Sequence, residues 1–177
     1  MPEPDRRETD LARLVRDVLV LQRDALHGAL RIDIPDQPLP VDVDAGMIRQ
    51  ALTNLVKNAG ESVAEVAADP PAGWTAEVRV TLEAGPEAAV LRITDNGIGL
   101  PEDRARLFEP YVTLKSGGTG LGLPIVKKII EEHGGTLTLD DHQPRGAVAE
   151  IRLPLMRQTA AQAPRMTRAE QEAAGSI

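Results

Sequence analysis

The sequence predicts an α+β fold of two layers, a mixed and mostly antiparallel sheet packed against three main helices. Three observations carry that expectation. Apolar residues recur at helical spacing in three separated stretches. Alternating stretches fall in pairs joined by links too short for a parallel crossover. The core must also be aliphatic, because hydrophobic residues make up 42% of the chain while Trp74, Phe108 and Tyr111 are its only aromatics.

Residues 1–9 read as an extended lead-in, since Pro2 and Pro4 oppose helix. Leu11, Leu14, Val15, Val18 and Leu19 mark an amphipathic helix over about 10–27. The segment 29–34 alternates like a strand, and Pro35, Pro38 and Pro40 break the chain after it. Ile48, Leu52, Leu55, Val56, Ala59 and Val63 line one face of a second helix, about 44–67, ended by Asp69-Pro70-Pro71-Ala72-Gly73. Val78, Val80 and Leu82 alternate with charged and hydroxylated residues as a half-buried strand. Gly85-Pro86 turns it into an antiparallel partner over 88–94. The Gly-rich residues 95–120 are irregular, apart from a short helix expected near 101–108. An irregular stretch of that length inside a domain is usually functional. A third helix spans 121–133, with Pro124 in its first turn and Gly134 as its stop. Strands over about 136–140 and 147–153 complete the sheet. The domain is thus expected over 10–156, with a disordered or frayed-helix tail at 157–177 that lacks a sustained apolar face.

With 20 basic against 27 acidic residues, the net charge of −7 argues against a general nucleic-acid binder. The absence of cysteine removes thiol nucleophiles, zinc ribbons and disulfide scaffolds. No apolar run reaches membrane-spanning length, and the polar start lacks a secretory signal, so a cytoplasmic location is expected.

Three clusters carry chemistry. Asn54 and Asn58 sit four apart on the second helix, so they share a face, with Glu61 one turn on. They are either surface amides or neutral oxygen donors at a cleft, suited to a Mg²⁺ that takes its charge partners from phosphates. Asp95-Asn96-Gly97-Ile98-Gly99 comes directly after a hydrophobic strand. It is either a plain glycine turn or a site where an acid accepts from an exocyclic amine while glycines let the backbone approach a flat ligand. Gly117-Gly118-Thr119-Gly120-Leu121-Gly122 runs into the third helix. It is either a hinge or a phosphate site made of backbone N–H groups at a helix start, with Lys115 as an added cation. Neither a dinucleotide-binding G-x-G-x-x-G nor a Walker G-x-x-x-x-G-K-[ST] is present.

Together, in this order and spacing, the clusters resemble the ATP-binding catalytic domain of bacterial sensor histidine kinases. Asn54–Asn58 is similar to its N box, and Asp95–Gly99 to its first glycine box. Phe108-Glu109-Pro110-Tyr111 is similar to its F box, and Gly118–Leu123 to its second glycine box. The stretches 108–113 and 125–135 most resemble the NtrY-type nitrogen-regulation kinases.

The resemblance implies the Bergerat α/β sandwich, with ATP held between helices and a mobile lid over about 109–120. It also implies that Asn58 holds Mg²⁺ and Asn54 supports the phosphates or the metal. Asp95 would accept the adenine amine, and Gly97 and Gly99 would line the base. Gly118, Thr119, Gly120, Leu121 and Gly122 would donate backbone N–H groups to phosphate. Some family members have a basic residue where this chain has Glu61, so the cationic phosphate contact passes to Lys57 or Lys115, and Lys115 is preferred.

A phosphoacceptor motif of His, an acid and a nearby Pro is absent around His27, His133 and His142. His133 reads instead as a helix C-terminal residue favoured by the dipole. The resemblance therefore implies a catalytic fragment whose target histidine lies on a dimerisation hairpin upstream of the helix at 10–27. Any sensor or membrane-anchoring part would lie further upstream, and a response regulator would be served indirectly. The fragment itself is expected to be monomeric, because in this family the hairpin makes the dimer. Alternatives are a hydrolytic ATPase or serine kinase of the same superfamily, or a non-catalytic nucleotide-sensing scaffold. The hydrolytic branch typically places a glutamate base where this chain has Asn54, and an amide does not take a proton from water.

Overall fold

The computed structural model describes residues 2–109 and 122–156. In chain order the elements are β1 (Arg7–Asp10), α1 (Leu11–Gln22), β2 (Leu30–Asp33), β3 (Pro40–Val43) and α2 (Ala45–Ala67). Then come β4 (Val78–Ala84), β5 (Ala88–Asp95), α3 (Gly122–Glu132), β6 (Thr136–Asp141) and β7 (Ala147–Pro154).

Five strands form one sheet in the order β2-β4-β5-β7-β6. Only the β2–β4 pair is parallel, so the sheet is mixed and mostly antiparallel as expected. Register separates its faces. Leu91 lies opposite Leu82 and Ile151, whereas the next residue, Arg92, lies opposite Thr81 and Glu150. The first set joins Ile48, Leu52 and Leu55 of α2 and Val126, Ile129 and Ile130 of α3 in one aliphatic core. On the other face Arg92 bonds Glu83 at 2.9 Å and Glu150 at 2.8 Å. Burial favours the protonated form of Glu150, but hydrogen bonds from Arg152 and Arg92 outweigh it and hold the carboxyl below its ordinary range.

The end of the stretch read as a lead-in is paired. Residues 7–10 zip antiparallel to 40–43 as a separate ribbon. Read locally, Pro35, Pro38 and Pro40 are only breakers, which hides β3. The strand still leaves a signal, because Val41 and Val43 are buried while Asp42 between them is exposed. Pro40 fits as the first strand residue, where a missing N–H costs little.

Two carboxylates start the helices. Asp10 Oδ1 accepts from Ala12 N at 3.1 Å and also from Leu39 N at 3.1 Å, tying α1 to the approach of β3. Asp44 caps α2 through Met47 N at 3.2 Å and accepts from Asp5 N at 3.0 Å.

Two helix expectations need correction. The helix expected over 10–27 stops at Gln22, and a separate 3-10 turn, Asp24–Leu26, folds Leu26 into the core. The buried stripe runs out at Leu19, since Val20 and Leu21 are exposed. The helix expected near 101–108 is a single 3-10 turn, Arg104–Arg106, which buries no residue and so has no packing to extend it.

Candidate functional site

The second helix sets the frame. Its buried stripe of Leu52, Leu55, Val56, Ala59 and Val63 faces the core. Asn54, Asn58, Glu61 and Ser62 succeed one another at helical spacing along one edge of that stripe, each half-buried. The shared face expected for Asn54 and Asn58 is therefore present. Lys57 points to the exposed side of the same helix.

Strand β5 delivers Asp95 to that edge one turn beyond Asn58. Asp95 is 7% exposed. Its Oδ1 accepts from Ser62 Oγ at 3.1 Å and from Gly97 N at 2.9 Å. Burial pushes Asp95 above the ordinary carboxylate range, while the Gly97 amide, the Ser62 hydroxyl, the Ala147 amide and the charge of His142 pull it back. The result is a buried acid with a fixed direction.

Glycines make this corner possible. A Cβ on Gly97 would stand 2.2 Å from Ser62 Oγ and 2.5 Å from Ser62 O, so only glycine lets the 96–98 turn lie against α2. A Cβ on Gly146 would stand 1.8 Å from Asp95 O, and its φ of +112° is itself unfavourable for other residues. Gly99, expected to line a base, turns at φ +80° beside Gly146. Asn96 fastens the neighbouring loop. Its amide donates to Thr75 O at 2.7 Å, its side-chain oxygen accepts from Glu77 N at 2.9 Å, and its carbonyl accepts from Trp74 Nε1 at 3.0 Å.

Gly122 is the first residue of α3. The other expected phosphate contacts, Lys115, Gly118, Thr119, Gly120 and Leu121, lie outside the described residues. So does nearly all of the lid expected over 109–120, with Tyr111. Phe108 is described. It is half-buried against the core, and Lys127 of α3 sits 4.7 Å from its ring centroid, in reach of a cation–π contact.

His133 departs from the expectation of a dipole-favoured cation. It is 3% exposed, its Nδ1 bonds Ile129 O at 2.6 Å, and its Nε2 accepts from Asp44 N at 3.0 Å. A backbone N–H can only donate, so the ring accepts at Nε2 and joins the C-terminal end of α3 to the start of α2.

Sequence reasoning missed Ser62, Gly146 and the nearby His142. The signal for Ser62 was available, since it lies four residues past Asn58 just as Asn58 lies four past Asn54. Gly146 and His142 come to the site only through the β5–β7 register, in which Asp95 lies opposite Ala147.

Chemically, the edge pairs one buried carboxylate with neutral amides. Among the described residues, no group of three or more His, Cys, Asp or Glu could hold a metal. Asn58 therefore suits a magnesium ion only if phosphate oxygens complete its shell. A shallow cavity of about 620 Å³, lined by Glu87, Gly134, Arg152 and Pro154 among others, involves none of the predicted site residues.

The family model described as "Histidine kinase-, DNA gyrase B-, and HSP90-like ATPase" matches residues 43–157. The nitrogen regulation protein NtrY of Azorhizobium caulinodans is 43% identical over 157 residues, 88% of this chain. The chain spans 20% of that relative's length. The nucleotide-free catalytic domain of histidine kinase ThkA superposes with a TM-score of 0.72 at 30% identity, covering 85% of this chain and 95% of its own. Full-length ShkA in complex with AMPPNP superposes at 0.70 and 26% identity, covering 90% of this chain and 33% of that one.

Proposed function

Because the chain belongs to the histidine kinase-, DNA gyrase B- and HSP90-like ATPases, we propose that it binds Mg-ATP and transfers the γ-phosphate to a histidine on a dimerisation hairpin outside this sequence. The observation that carries the reading is the Asp95 corner. It is a buried acceptor at a strand end, walled by glycines and fixed to the helix that bears Asn54 and Asn58.

Asp95 accepts the adenine amine through a charge-assisted bond. Gly97 and Gly99 bring the turn against the base, Asn54 orients the phosphates, and Asn58 lends magnesium a neutral oxygen. Bound magnesium would supply charge neutralisation as the phosphoryl group moves. Gly118, Thr119, Gly120, Leu121 and Gly122 cradle the phosphates with backbone N–H groups ahead of α3, and Lys115 adds the cation that Glu61 does not provide. Transfer to histidine rather than rapid hydrolysis follows from Asn54, which does not deprotonate water. The AMPPNP carried by the similar kinase ShkA supports the nucleotide class.

The partners in this reading are ATP or ADP, the parent's own hairpin and, indirectly, a response regulator. The fragment alone is a monomer working in the cytoplasm. No helix among the described residues is long and apolar enough to cross a membrane.

Calorimetric titration with ATP, with and without magnesium, tests binding. Labelled ATP with the parent's purified hairpin tests transfer. Saturable, magnesium-dependent binding and a phosphohistidine on the hairpin are expected. Tight binding with no label on the hairpin under any condition would favour a nucleotide-sensing scaffold.

A further inference from the structure

We propose that Ser62 is the residue that aims the base-binding carboxylate, so that nucleotide affinity depends on a hydroxyl one helical turn beyond Asn58. The inference rests on the reading of Asp95 as the acceptor of the adenine amine.

Ser62 is held against both Asp95 and the turn that follows it. Its Oγ accepts from Ile98 N at 3.0 Å, which turns the hydroxyl hydrogen toward Asp95 Oδ1, 3.1 Å away. Its own carbonyl also lies 3.3 Å from Ile98 N. Gly97 is pressed so close that a methyl group there would overlap Ser62, so the turn cannot drift off the helix without losing these bonds. One side chain of α2 therefore holds both the carboxylate and the turn beyond it.

An ionised carboxylate offers about four acceptor sites. Ser62 and Gly97 take two of them, both at Oδ1. The Oδ2 side is left for an outside donor, and the bonds at Oδ1 fix its direction. Without the hydroxyl the carboxylate keeps only the Gly97 amide at Oδ1, and the remaining acceptor is aimed less closely. Because Asn54 and Asn58 share this face, the same hydroxyl also couples the base to the phosphate edge: the base pulls on Asp95, and Asp95 holds α2.

The test is ADP affinity by calorimetry on wild type, Ser62→Ala and Asp95→Asn, with the nucleotide-free Asp95 carboxyl followed by ¹³C NMR as pH is varied. The charged group that acts on this carboxyl from the neighbouring β6–β7 connection is His142, so the titrations are run in a His142→Gln background. Ser62→Ala is expected to weaken ADP about ten-fold, the loss of one hydrogen bond to a charged group. It should also raise the pH at which Asp95 titrates. Should Ser62→Ala fail to fold, Ser62→Cys keeps a similar shape with a poor donor and should move both readouts the same way.

Wild-type affinity in the serine variants, with binding lost in Asp95→Asn, would overturn the role of Ser62 and leave the base assignment standing. Weakened affinity with an unmoved carboxyl titration would reduce Ser62 to packing and also overturn the proposal. Unchanged binding in Asp95→Asn would instead overturn the base assignment on which it rests.

Discussion

The two ends of the α2 edge are built to different tolerances. At the Asp95 end, a residue with 7% exposure has its carboxyl held by Ser62 and Gly97, and added methyl groups at Gly97 or Gly146 would stand within 2.2 and 1.8 Å of neighbours. At the other end, Asn54 and Asn58 are half-buried amides on a helix face. The contrast matches the ligand part that each end is proposed to recognise. A flat base is distinguished by the direction of its donors, so its acceptor must be rigid before the ligand arrives. Phosphate and magnesium are distinguished by charge, and a neutral amide becomes selective only once both are present.

The largest effect should come from breaking the rigid end. Gly146→Ala adds a methyl that overlaps Asp95 O at a φ of +112°. Strain and overlap together should cost about 3 kcal/mol or more. Urea unfolding measures it, and a loss below ~1 kcal/mol would mean that the β5–β7 corner is looser than the register implies.

Next is Asp95→Asn, which separates function from stability at one residue. Nucleotide affinity is expected to fall roughly 10–100-fold as a charge-assisted bond becomes a weaker one. Stability should move the other way. Burial raises the Asp95 carboxyl, so its penalty is absent below the unfolded value near 3.9 and complete once pH has risen through the folded one. Asp95→Asn removes that penalty at neutral pH. Nucleotide-free protein should then melt higher than wild type at neutral pH. Wild-type affinity should weaken on acidification as the carboxyl protonates, while Asp95→Asn stays flat. A variant that both melts lower and binds normally would contradict this reading of the carboxyl.

Much of this contrast was legible in the sequence, and the part that was not has one physical cause. Local spacing is enough to put Asn54 and Asn58 on one face and to leave Asp95 at a strand end, because helical and strand periods act over a few residues. Gly146 is remote from Asp95 along the chain and meets it only when β7 pairs with β5. His133 reads locally as a helix-end cation, yet its role is set by the Asp44 amide from another element. β3 was hidden because proline suggested a break where the pairing partner, β1, supplies the strand. Properties made by one segment could be read, whereas those made by two distant ones needed the fold.

At the amide end the effects should be smaller and conditional. Asn58→Ala is expected to weaken Mg-ATP on the order of ten-fold, the size of one lost ligand or hydrogen bond. Metal-free binding should stay near wild type, so the dependence on magnesium disappears. Titration at fixed ATP with and without magnesium measures this, and an undiminished magnesium dependence would take Asn58 out of the metal site.

The smallest effect expected is that of Gly122→Ala, which asks what the glycine at the start of α3 is for. If it serves phosphate through its backbone N–H, alanine keeps that donor, and affinity should stay within about two-fold. Alanine also favours helix over glycine by at most about 1 kcal/mol, so melting should hold or rise slightly. A sharp loss of ATP affinity at unchanged melting temperature would mean that the ligand packs against the α-carbon itself. The phosphate end would then share the steric strictness of the Asp95 corner, and the contrast between the two would narrow to charge alone.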